Sequence, residues 1–178
     1  MLREIKRFIN GEVSTRWLVK NGMKVGENFH RGARCFIDPS HCFLISIGKN
    51  VTMSIGVTIL AHDASTEKLL GYTKIGQVNI KDNVFIGANS IILPNVTVGV
   101  NSIIGAGSVI THDVPDDVVV AGNPAKVITS VNKYIVKNQL MMEKAKLFPE
   151  EYTMRHHVTD NMKKEIIEDT RGKISFIK

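Results

Sequence analysis

The sequence predicts a mainly β fold: very short strands wound three to a turn into a triangular prism, with a helical flank at each end. Three observations carry this. First, from residue 80 the chain repeats every six residues, with the aliphatic column Ile80, Ile86, Ile92, Val98, Ile104 and Ile110. Second, three residues after each of these stands Asn83, Asn89, Asn95, Asn101, Gly107 or Asp113. Asn, Asp and Gly most readily accept a left-handed backbone, so the pattern asks for one sharp bend per hexad. Third, glycine and charge segregate. Residues 23–128 hold eleven of the fourteen glycines but only sixteen of the forty charges, whereas residues 129–178 hold seventeen charges and one glycine.

Taken in order, residues 1–22 read as a helical N-terminal flank. Leu2, Ile5, Phe8 and Ile9 share a helical face, Gly11 stops it, and Ser14 caps a second short helix ending at Gly22. The repeats occupy residues 23–128. IGKNVT and MSIGVT open at Ile47 and Met53 with Asn50 and Gly56 in the bend column, and a further unit opens at Ile59. Small or β-branched residues, Val84, Ser90, Val96, Ser102, Ser108 and Val114, fill the position after each later bend. A helix would not bend every six residues, and hairpins would not keep the aliphatic column in phase over six hexads. Coils of eighteen residues stacked about 4.8 Å apart satisfy both conditions. The register breaks after Ile59, so residues 62–79 form a protruding loop, a candidate lid or acceptor loop. Residues 129–178 read as a helical C-terminal extension. One helix spans Val131 to Met142, a second starts with Asp160 as cap and runs towards Gly172, and KISFIK closes the chain like a strand.

Composition narrows the function. With 43% hydrophobic residues the chain buries a core, and no apolar run reaches the roughly 20 residues that span a bilayer. MLREIKRFIN lacks the apolar stretch of a secretory signal, and Cys35 and Cys42 form no disulfide framework, so a cytoplasmic location is expected. Net charge is +6, but it sits on the flanks, +3 on each, with a neutral repeat region. At 6% aromatic residues there is no basic stripe with interleaved aromatics, so a nucleic-acid partner is not expected.

The repeats, followed by IGAGSVITHDVPDDVVVAGNPAKVI, resemble the hexapeptide-repeat acyltransferases, near their galactoside, maltose and polysaccharide O-acetyltransferase branch. The resemblance covers residues 23–128. It implies a left-handed parallel β-helix and a homotrimer, with acetyl-CoA and a sugar or glycan acceptor bound between neighbouring subunits. It further implies direct acetyl transfer to a hydroxyl with His62, at the break in the repeats, as general base; on the residues alone His62 is also readable as one more left-handed corner. Ala88 matches the backbone oxyanion donor, and Asp38 the acid that orients the acceptor or the base. Ala106, Thr111 and Lys126 match the acetyl-CoA groove, while His112 replaces a common lysine there. On the acceptor side stand Asp63, and Arg31 and Arg34 where the neutral-sugar enzymes carry asparagines; the two arginines suggest an acidic glycan or a nucleotide-linked sugar. N-acetylation of an amino sugar nucleotide is the alternative enzyme reading, and a non-catalytic β-helix binding module the alternative outside catalysis. His62, Asp63 and Glu67 in the loop and His41 upstream do not make a recognisable ligand set, so no metal is expected.

Overall fold

The computed structural model describes residues 12–178, so the helix expected over Leu2–Ile9 lies outside the described residues. Ser14 caps α1 (Thr15–Lys20), its hydroxyl accepting from the Trp17 N–H at 3.1 Å, and Leu18 is buried. The repeats then form three parallel sheets, one per prism face. β1 (Lys24–Val25), β4 (Ile45–Ile47), β9 (Val78–Ile80) and β12 (Val96–Val98) make the first. The second stacks β2 (His30–Arg31), β5 (Thr52–Met53), β10 (Phe85–Ile86), β13 (Ile103–Ile104) and β15 (Val118–Gly122). The third stacks β3 (Phe36–Ile37), β6 (Thr58–Ile59), β11 (Ile91–Ile92) and β14 (Val109–Ile110). This is the left-handed parallel β-helix implied by the resemblance, with helical segments before and after it along the chain. Ile80, Ile86, Ile92, Val98, Ile104 and Ile110 all point inward and are buried.

The bend column behaves as its chemistry requires, with one exception. Asn50, Gly56, Asn83, Asn89, Asn95, Asn101 and Gly107 all have positive φ. Asp113 does not; the last corner is made by Asp117 at φ 56°, because the final coil is two residues short, Ile103 pairing with Val119 across 16 positions rather than 18. Asp113 instead accepts a hydrogen bond from the Thr97 N–H at 2.7 Å. Between the first and second faces the corner asparagines bond one another. Asn28 donates to Asn50 (3.0 Å), Asn50 to Asn83 (3.0 Å), Asn83 to Asn101 (2.9 Å) and Asn101 to Asp117 (2.8 Å).

Beyond the coils, β16 (Ala125–Ser130) turns back antiparallel on β15, a strand the repeat pattern does not announce. The chain divides into two compact units, the first ending at Val131 and the second covering residues 132–178. In the second, α3 (Val131–Met142) begins at the junction. β17 (Leu147–Phe148) pairs in parallel with β18 (Phe176–Ile177), the strand expected in KISFIK. α4 (Asp160–Asp169) is capped by Thr159, whose hydroxyl accepts from the Met162 N–H at 3.3 Å; Asp160 is the first helical residue rather than the cap. Glu165 on α4 ties the unit together by binding Lys146 at 2.5 Å and accepting from the Tyr152 hydroxyl at 2.7 Å. Among the described residues no helix is long and apolar enough to cross a membrane.

Candidate active site

The corner that follows the third face carries the chemistry. Asp38 leaves β3 there with its N–H on the Ile59 carbonyl, and one coil on the chain departs through Ala61 into β7 (His62–Asp63). β7 pairs antiparallel with β8 (Lys74–Ile75), so the protruding loop is an excursion closed at its base. His62 is therefore extended, without positive φ, and the left-handed-corner reading is set aside. Within the loop lies the short α2 (Glu67–Leu70), and Leu69 and Tyr72 expose most of their surface.

Asp38 is fully buried, and each of its oxygens is occupied. One accepts from the Ser40 N–H (3.0 Å); the other accepts from the Ala61 N–H (3.1 Å) and faces His62 Nδ1 at 2.5 Å. Burial by itself would raise the Asp38 pKa, but the hydrogen bonds from His62, Ala61 and Ser40 and the attraction of His62 together hold it below the ordinary carboxylate value. An ionised carboxylate only accepts, so Nδ1 carries the hydrogen in the neutral ring and Nε2 keeps a lone pair. The His62 side chain is 31% exposed, so that lone pair is within reach of a ligand.

A third group joins this pair that sequence reasoning noted but gave no role. His41 stands just before a 3-10 turn at Cys42–Leu44, its ring 5.1 Å from that of His62 and its Nδ1 4.0 Å from the same Asp38 oxygen. It lies in the short insertion between Asp38 and Ile47, outside the repeat register, which is why spacing could not place it.

The remaining expected residues divide between two corners. Thr111 follows β14 and shares the His62 corner, its hydroxyl 2.8 Å from His112 Nδ1. Ala88 and Ala106 share the corner between the second and third faces, one coil apart, since Phe85 pairs with Ile103. The coils are so close there that a Cβ on Gly87 would lie 2.5 Å from the Ala106 nitrogen. Past the left-handed turn at Asn89, the extended run Ser90 to Leu93 separates that corner from the next, about 10 Å at ~3.3 Å per residue. One chain therefore does not bring Ala88 to His62. Lys126 is exposed on β16, paired with Ala121.

Asp63 is engaged in holding the loop. It bonds Lys74 Nζ at 2.6 Å and accepts from the Ser65 N–H at 2.9 Å, and the Lys74 hydrogen bond foremost holds its pKa far below the ordinary value. Arg31 departs from expectation. It occupies the inward column of the second face, in register with Met53 and through it with Ile86, and its side chain is only 3% exposed. Its guanidinium donates to the carbonyls of Val13 (2.8 Å) and Cys35 (2.5 Å), with Glu12 at 4.0 Å. Its charge closes the prism end instead of facing an acceptor. Arg34 is exposed, in a left-handed corner at φ 57°, with its N–H on Glu12 at 2.7 Å.

Comparison with known proteins agrees with this fold. Residues 77–112 match the family described as bacterial transferase hexapeptide (six repeats). The chain is 35% identical over 137 residues to YvoF of Bacillus subtilis strain 168, whose name assigns it provisionally to the acetyltransferases, covering 71% of this chain and 77% of YvoF. The chain belongs to the hexapeptide-repeat acyltransferase family. As such it is an enzyme of the acyltransferase class. It is also 36% identical over 115 residues to the galactoside O-acetyltransferase of Escherichia coli K12, covering 63% of this chain and 56% of that relative. The solved maltose O-acetyltransferase of Clostridium difficile 630 superposes with a TM-score of 0.54 at 27% identity, over 72% of this chain and 83% of that one.

Proposed function

We propose that this acyltransferase is an acetyl-CoA-dependent O-acetyltransferase that acts on a sugar or polysaccharide hydroxyl by direct transfer, with His62 as general base. The observation that carries the reading is the buried Asp38 carboxylate on His62 Nδ1, which leaves the Nε2 lone pair uncommitted on a side chain that is 31% exposed. The similarity to relatives named as galactoside and maltose O-acetyltransferases supports the acceptor class.

Nε2 takes the proton of the acceptor hydroxyl as its oxygen bonds to the thioester carbonyl carbon. The tetrahedral oxyanion is met by the backbone N–H of Ala88. Collapse breaks the carbon–sulfur bond, and the His62 imidazolium returns its proton to the departing CoA sulfur. Asp38 stays ionised throughout, fixing the ring orientation and stabilising the imidazolium. No acyl-enzyme is needed, since a thiolate leaves readily and both substrates are held together. The pantetheine arm lies along the coils beside Ala106 and Thr111, with Lys126 towards the nucleotide phosphates. Because His62 and Ala88 stand on different corners of one prism, each site is completed by a second copy, which favours the trimer. Arg31 drops out as an acceptor contact, and Arg34 alone carries the suggestion of an anionic acceptor.

Thiol release from acetyl-CoA, measured across neutral, acidic and nucleotide-linked sugars, tests the reading. His62→Ala is expected to lower kcat by about 10²- to 10⁴-fold. Release that survives the substitution removes His62 from the mechanism, and a preference for neutral sugars removes the anionic acceptor.

A further inference from the structure

We propose that Asp38, His41 and His62 form a site for one divalent ion of the zinc class, and that an ion seated there switches acyl transfer off. One donor atom from each residue lies within 4.8 Å of the other two. Two imidazole nitrogens and a carboxylate oxygen are the donor set zinc accepts, with a fourth position left to solvent. Three features beyond proximity favour this. His41 Nδ1 is buried and has no hydrogen-bond partner among the described residues, although it is directed at the Asp38 oxygen 4.0 Å away. The carboxylate is ionised and anchored by two backbone N–H groups, a ready-made outer shell. Both imidazoles are about 30% exposed, so the cluster lies next to solvent and not deep in the core.

Ligand bonds of about 2.0–2.2 Å in a tetrahedron put donors roughly 3.4 Å apart. Binding therefore draws His41 in from 4.0 Å and opens the 2.5 Å contact between His62 and Asp38. The inhibitory half of the proposal rests on His62 being the general base. A metal on Nδ1 uses that nitrogen's lone pair, so the hydrogen of the neutral ring moves to Nε2. Nε2 then has no lone pair with which to take the acceptor proton, and Asp38 has been diverted to the ion. The enzyme would run without metal and be inhibited by it, the reverse of a zinc hydrolase.

The full chain is titrated calorimetrically with Zn²⁺ alone, as wild type and as His41→Gln, and thiol release is followed on the same samples. Expected are one ion per chain at micromolar affinity, binding weakened at least about tenfold in His41→Gln, and activity that falls with occupancy and returns on adding EDTA. The dependence on His41 separates this site from the exposed His156 and His157. Absence of saturable binding, or equal affinity in His41→Gln, overturns the site. Stoichiometric, His41-dependent binding with undiminished thiol release overturns the inhibitory half and the base reading with it. Should His41→Gln melt early, Co²⁺ in the wild type decides: four-coordinate visible bands support the site, and a weak six-coordinate spectrum overturns it.

Discussion

Asp38 is the residue on which the site turns, because it is buried, charged and satisfied at once. An isolated carboxylate would not ionise at full burial; two backbone N–H groups and His62 make it do so. Asp38→Asn is expected to lower kcat by about 10²-fold or more, since an amide no longer fixes the hydrogen on Nδ1. The same substitution has a stability signature. The folded pKa of Asp38 lies below its unfolded value of about 3.9, so its contribution is complete above that value and is lost as pH falls through the lower folded pKa. The melting-temperature gap between wild type and Asp38→Asn should narrow on acidification below about pH 4. A constant gap would mean that Asp38 acts through shape and not charge. Arg31 teaches the converse lesson: a charge that composition suggests is offered to a ligand is consumed inside the fold, on Val13, Cys35 and Glu12.

At the scale of the element, the corner asparagines do two jobs that a single substitution can separate. At the corner between the first and second faces, Asn28, Asn50, Asn83 and Asn101 each adopt positive φ and each pass a hydrogen bond to the coil beyond. Asn83→Ala loses both, at about 1–2 kcal/mol for the left-handed backbone plus about 0.5–1.5 kcal/mol for each lost ladder bond. Asn83→Gly keeps the backbone and loses only the bonds. Urea unfolding should therefore rank wild type above Gly above Ala, and equal Gly and Ala values would assign the whole effect to the ladder. In the core, Ile92→Ala leaves a cavity between coils and should cost about 2–5 kcal/mol. The protruding loop depends on a local lock, Asp63 with Lys74 and Ser65, and not on the coil register that governs everything around it.

For the whole molecule, the decisive geometry is the separation of His62 and Ala88 by one prism face. If a neighbouring copy supplies the oxyanion donor, His62→Ala and Ala88→Pro, each inactive alone, should regain activity when unfolded together and refolded as a mixture. The proline removes the backbone N–H that the mechanism needs. Mixed assemblies then contain sites with an intact His62 from one chain and an intact Ala88 from another. Sedimentation should show a trimer, and mixtures no more active than their parents would place the whole site in one chain.

What the sequence by itself determined is the coil. The hexad writes a left-handed corner and an inward aliphatic into every turn, both are local properties of short segments, and repetition forces them into one stack. Asn83, Asn89, Asn95 and Asn101 were legible for that reason, and so was the break that releases His62. Only the tertiary structure decided how that break becomes a site. Asp38 and His62 are 24 residues apart, in stretches where the register is interrupted by an insertion and by a loop. Sequence spacing stops predicting position wherever the repeat stops. His41 and Arg31 were hidden for the same physical reason: one lies in the insertion, the other at the end of the stack, where the partner of an inward side chain is not another coil.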